Sequence, residues 1–188
     1  QIRDNIEREY NYRTALAIRD QARQTKQEGI QQTKKVKSDK QLTEIENLLD
    51  EATTLGAETY TYNLFSAITK EFENLVSQFY EENYDTVLTQ APKLKPQVEE
   101  LILETKRVAA ETKIKEVEGA INSLVAMEAR GYLPGRVEQL EALLADAREQ
   151  YEQEAYVESR EISDRALEEE QNILQEFDDL AQQHITTA

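Results

Sequence analysis

His184 is the only histidine in the chain, and there is no cysteine. A histidine-dependent triad or a histidine-rich metal site therefore cannot be built from one copy of it, and thiolate chemistry and cysteine-ligated zinc are excluded. Ala181 stands where the glutamate of a di-iron Glu-x-x-His pair would be. The acidic groups Glu168, Glu169 and Glu170, with Asp178 and Asp179, could attract calcium. Consecutive carboxylates on a helix fan outward, however, and no calcium-loop signature is present. Glycosidase chemistry needs two carboxylates converging in a cleft, and the chain has no tryptophan to stack a sugar. The five glycines form no phosphate-binding loop, and Lys34-Lys35-Val36-Lys37 is too short a basic run to read as a nucleic-acid site. No residue is assigned to catalysis, to a cofactor or to a metal.

Tyrosine is the residue type whose placement carries more. Of the nine, Tyr60, Tyr80, Tyr84, Tyr132, Tyr151 and Tyr156 fall near expected turns or interruptions. A tyrosine can bury its ring and leave its hydroxyl for water or a partner, so these residues are expected to wedge bundle ends and to offer a protein-binding patch. Tyr10, Tyr12 and Tyr62 are expected at the surface. The formal net charge of -16 repels nucleic acid and anionic membranes. It is uneven: residues 1–40 hold ten Lys or Arg against six Asp or Glu, and residues 138–179 hold three Arg against fifteen Asp or Glu. The expected reading is a solvated helical surface that resists aggregation; the alternative is head-to-tail contact between basic beginning and acidic end, or contact with neighbouring domains.

The elements that must hold these residues are helices. Glu, Gln, Ala, Leu and Lys dominate, and three prolines and five glycines are too few for a loop-rich β protein. A first helix is expected over Tyr12 to Ala57, weakened at Gly29 and ended by Gly56. Its apolar stripe is Leu42, Ile45, Leu48, Leu49, Ala52 and Leu55, at spacings of three and four. After a turn at Glu58 to Thr61, a second stripe runs from Leu64 to Phe79, and Glu82 to Asp85 reads as a small interruption. Pro92 and Pro96 mark a strong break. A third stripe runs from Val98 to Met127, a turn spans Arg130 to Gly135, and Pro134 opens a final helix that reaches about Leu180. No stretch has the apolar length needed to span a bilayer, and Gln1 at the start fits a chain cut from a longer one.

Much of this pattern recurs at one fixed interval, the one that separates Tyr84 from Tyr156. Ile45, Ala52, Leu55, Ala57, Tyr60, Phe65, Ile68 and Phe72 map onto Val117, Leu124, Met127, Ala129, Tyr132, Val137, Leu140 and Leu144. Tyr12 precedes Tyr84 by the same interval, with few agreeing neighbours. Repetition at a fixed period is the signature of stacked helical units. The expected fold is an all-α, elongated antiparallel helical bundle, divided as 1–91 and 92–188.

The run Gly131-Tyr132-Leu133-Pro134, then Leu140, Leu144, Ala147 and Tyr151, then Tyr156, Ser159 and Ala166, resembles tandem spectrin-like helical repeats. The bacterial septation-ring regulator family and helical repeats of envelope proteins have a similar layout. The resemblance covers residues 42–84 and 114–166, and no functional residue carries over. It implies two overlapping spectrin-like units that space, tether or contact other proteins. The sequence expectation is thus a non-catalytic spacer or interaction scaffold with a protein partner, oligomeric state open, and an exterior, cell-envelope setting favoured over a cytoplasmic one. The alternative is an extracytoplasmic sensory or ligand-binding bundle, with a polar cavity near Tyr80, Tyr84 and Tyr156.

Overall fold

The computed structural model describes the backbone of residues 2–186 and the side chains of residues 8–182. Among these residues the only regular elements are seven helices: α1 (Ile2–Leu55), α2 (Ala57–Tyr60), α3 (Tyr62–Tyr80), α4 (Tyr84–Ala126), α5 (Ala129–Tyr132), α6 (Pro134–Glu152) and α7 (Tyr156–Thr186).

Helix α1 begins earlier than Tyr12 and runs through Gly29 without interruption. From Arg8 to Thr33 nearly every side chain is exposed, so this part relies on intrinsic propensity and local pairs. Arg13 pairs with Glu9 at 2.6 Å, and Gln24 donates to Glu28 at 2.9 Å. Gly29 meets nothing within 4 Å, and a single exposed glycine costs only about 1 kcal/mol against alanine. Burial starts at Ser38 and continues through Leu42, Ile45, Leu49 and Ala52. Gly56 ends the helix as expected: its φ of 93° is in the left-handed region, and its N–H donates to the Thr53 carbonyl at 3.0 Å.

The expected break at Pro92 and Pro96 does not occur, and both lie inside α4. Their side chains are exposed and one helical turn apart. The hydrogen bonds lost at the carbonyls of Leu88 and Pro92 are offset by burial of Ala91, Leu94 and Val98 along the same stretch. The real turn is upstream. Glu82 takes φ 62°, its N–H donates to Phe79 at 3.1 Å, and Asn83 donates to Gln78 at 2.9 Å. This is a Schellman closure of α3 with glutamate in the place glycine usually takes.

The same construction returns one repeat interval later. Glu128, at φ 61°, stands where Gly56 stands, and α5 and α6 repeat the limits of α2 and α3. Pro134 occupies the first turn of α6, which its fixed φ favours. The single final helix expected from Pro134 onward is interrupted at Gln153–Ala155. Glu154 takes φ 60°, Glu154 donates to Tyr151 at 3.0 Å, and Ala155 donates to Gln150 at 2.9 Å. No glycine or proline marks that break, and glutamate in the left-handed region has no composition signal. Tyr12, by contrast, lies exposed within α1 and starts no helix, so the structural repeat holds for Tyr84 and Tyr156 only.

The chain forms two compact units, each drawn from two stretches: residues 1–50 with 67–98, and residues 51–66 with 99–188. The division at residues 91 and 92 read from the sequence falls inside α4. In the first unit Leu42, Ile45, Ile68, Leu75, Val87, Ala91, Leu94 and Val98 are buried. In the second, Val117, Ile121 and Leu124 of α4 join Leu140, Leu144 and Ala147 of α6 and Ala166 and Ile173 of α7 in one core. Burying an aliphatic side chain contributes about 1.5–3 kcal/mol, against about 0–1 kcal/mol for an exposed ion pair. The cores, not the abundant surface charges, hold each unit together.

Candidate interaction site

The tyrosines expected near turns are found there, all but Tyr60 in edge-to-face aromatic pairs. In the first unit Phe79 packs on Tyr84 at 5.4 Å and on Tyr80 at 5.9 Å. In the second unit Tyr151 packs on Tyr156 at 5.3 Å, and Tyr132 on Phe177 at 5.6 Å. Tyr84 is buried, while Tyr80 is 79% exposed, and Tyr10, Tyr12 and Tyr62 are at the surface. The cavity expected around Tyr80, Tyr84 and Tyr156 is not gathered in one unit, because the first two belong to one and Tyr156 to the other.

Tyr156 lines a pocket of about 250 Å³ in the second unit, with Leu55, Lys106, Val157, Arg160 and Asp164. Arg160 organises it. One turn into α7, its guanidinium donates to the Leu55 carbonyl at 3.3 Å, lies 5.9 Å from the centre of the Tyr60 ring, and faces Asp164 at 3.8 Å. The Leu55 carbonyl is one of the last in α1, and a cation near such a helix end is favoured by the helix dipole. Beneath it, Thr61 and the buried Thr105 share a hydrogen bond of 2.8 Å, and Thr105 also donates to Leu101 at 2.7 Å. Lys106 closes one side through Glu51 at 3.2 Å, and Lys113 bridges Glu116 at 2.8 Å and Asp164 at 3.4 Å. The hydrogen bond to Glu116 raises the Lys113 pKa above its ordinary value, and Asp164 adds to this. The cations Arg160 and Lys106 are matched in the pocket by Glu161 and Asp164, and they are already satisfied by carboxylates, a carbonyl and a ring.

A second charged group lies along α4. Arg107 bonds Glu104 at 2.7 Å, Glu111 at 3.2 Å and the Tyr151 hydroxyl at 3.2 Å. The Glu104 hydrogen bond, then the Tyr151 one, raises the arginine pKa further. Glu104 is held below the usual carboxylate range by Arg107, and Glu111 chiefly by its hydrogen bond to Lys115. Through Tyr151 this group ties α4 to α6, and its charges are paired with one another.

Among the acidic residues weighed for calcium, Glu169 faces Arg136 at 3.2 Å and Glu168 is exposed. Among the described residues, no group of three or more His, Cys, Asp or Glu could hold a metal ion. The side chain of His184 lies outside the described residues. In the short basic run Lys34 pairs with Asp85 at 2.6 Å. No described helix is long and apolar enough to cross a membrane. Arg160 and Arg107 are the residues that sequence reasoning missed. The signal for Arg160 was available in the repeat: it occupies the position of Leu88, a charge in an apolar register. No family model matches the chain, and neither a curated protein nor a solved structure is significantly similar to it.

Proposed function

We propose that this chain is a non-catalytic helical-repeat module that spaces or holds other proteins. One observation carries the reading: the backbone breaks at Gly56 and Glu82 recur at Glu128 and Glu154, with the helices between them repeated in length. A fold made by copying one packing unit works through geometry and surface, since each copy adds a face rather than a cleft. The spectrin-like resemblance in the core spacing supports such a role, and the proposal includes an exterior, envelope-type setting. Exposed tyrosines at helix ends, Tyr80 and Tyr132 above all, supply ring area at low conformational cost for a protein partner.

The pocket around Arg160 favours one alternative, a ligand-binding bundle that takes a small molecule. Thermal denaturation against panels of small molecules and peptides separates the two, because a ligand that binds only the folded state raises Tm. The spacer reading expects no response to the small molecules. A compound that raises Tm by several degrees in the parent, and not in Arg160→Ala, moves the assignment to ligand binding.

A further inference from the structure

The two equivalent turns differ in their cover. At the first, Leu55, Gly56 and Tyr60 are half-buried, and Thr105 and Ala109 are fully buried. Tyr156, Val157 and Arg160 of α7 lie over this surface, and the arginine fixes the Leu55 carbonyl and the Tyr60 ring. All of these residues belong to the second unit. Moving on by one repeat interval from Leu55, Gly56, Tyr60, Thr105, Val108 and Ala109 gives Met127, Glu128, Tyr132, Phe177, Leu180 and Ala181. Those six line an open pocket of about 320 Å³. Met127 is 42% and Tyr132 57% exposed, although the positions they repeat are covered. Glu128 adds a carboxylate where Gly56 has none, which favours a cationic visitor.

We propose that this pocket docks the hairpin tip of one further unit of the same repeat, joined in register to α7, with a tyrosine and an arginine placed as Tyr156 and Arg160 are. The arginine donates to the Met127 carbonyl and lies over the Tyr132 ring, as Arg160 does at Leu55 and Tyr60. The proposal deepens the scaffold reading and rests on its repeat. It assigns the surface by which the array grows and the chemistry of what grows on it.

The test is a fusion in which Thr186 is followed by residues 115–188, since Thr186 is the repeat equivalent of Ile114. The chain has no cysteine, so Met127→Cys provides a single thiol whose maleimide labelling reports cover. Labelling should slow roughly tenfold or more in the fusion, as for a group reached only by local opening. Arg160→Glu in the added copy should restore it. A thiol as reactive in the fusion as in the parent overturns the proposal, as does protection that survives Arg160→Glu. If circular dichroism shows no gain of helix in the first fusion, a second that appends residues 43–188 in the same register decides by the same labelling. Its leading tip carries Leu88 in place of arginine, so weaker protection is expected, and none overturns the proposal. Leu55→Cys in the parent is the control for the scaffold reading. Slow labelling there with an open Met127 position in both fusions sinks the docking and leaves the repeat intact.

Discussion

The turn after α1 and the turn after α4 share a backbone but not a set of residues. Both end a long helix in a left-handed residue, both pass through one helical turn, and both start a 19-residue helix. Yet the left-handed residue is Gly56 in one and Glu128 in the other. Deeper in the core, Ala52 and Leu124 occupy the same fully buried position. The register of apolar positions sets the path, while each copy fills its core with its own volumes. Side chains at equivalent positions should therefore not be interchangeable.

The largest effect expected follows from that volume difference. Leu124→Ala should cost about 2–5 kcal/mol, because it removes a fully buried side chain and leaves a cavity. The reciprocal Ala52→Leu should cost about 1–3 kcal/mol by overpacking. Urea denaturation of both variants checks this. A neutral Ala52→Leu would mean that the first copy holds unused space and that the cores are more alike than the burial pattern implies.

Next in size is the exchange at the turns. A Cβ on Gly56 would sit 3.0 Å from the Tyr60 ring, on a backbone with φ 93°. Gly56→Ala should destabilise by about 1–2 kcal/mol, the cost of a left-handed non-glycine residue plus the crowding. Glu154→Gly and Glu128→Gly should do the opposite, by up to about 1 kcal/mol, since glycine is native to these helix ends. Thermal melts of the three variants sharpen the comparison, and matching signs for Gly56→Ala and Glu154→Gly would break it.

These two cases show why part of the fold was legible and part was not. Leu42, Ile45, Leu49 and their partners at Ile114, Val117 and Ile121 are apolar at helical spacing, and their burial follows from that pattern alone. Glu154 offers no such signal, because its left-handed turn is imposed by carbonyls of α6 that need donors. Pro92 and Pro96 gave a false one, since both are exposed on α4 and the buried Ala91, Leu94 and Val98 beside them offset the cost of a proline inside a helix. The tyrosine pairs were readable from their place near turns. Arg160 was marked only by its charge at the position of Leu88, and its role was not readable, because the Leu55 carbonyl and the Tyr60 ring are far from it along the chain.

A smaller difference lies where the copies bury hydroxyls. Ser159 and Ser163 are fully buried in the second copy, at the positions of Val87 and Ala91 in the first. Ser159 reaches across to the Ala147 carbonyl at 2.8 Å, and Ser163 bonds back to Ser159 at 2.9 Å. Ser159→Ala should lose about 0.5–1.5 kcal/mol, the net value of one such bond. Val87→Ser should lose more, because it exchanges a fully buried apolar side chain for a smaller polar one. Chemical denaturation of the pair checks the order, and a reversal would show that the hydroxyls follow the packing instead of fixing it.

The smallest effect expected is electrostatic and belongs to the second copy. Glu104 and Glu111 flank Arg107 there, where the first copy has Gln32, Asp39 and Lys35. Hydrogen bonds from Arg107 hold Glu104 below the usual carboxylate range, and Lys115 does the same for Glu111. A carboxyl with a lowered folded-state pKa binds fewer protons folded than unfolded. Its contribution is complete above the unfolded value of about 4.3 and disappears as pH falls through the lower folded value. Acid also relieves the repulsion within a chain of net charge -16, which acts in the other direction. The informative quantity is therefore the difference between parent and Glu104→Gln. Their Tm values should lie furthest apart near neutral pH and converge as pH falls below the unfolded value of about 4.3. A constant gap across that range would mean that Glu104 acts by packing its stem along α4 and not by its charge.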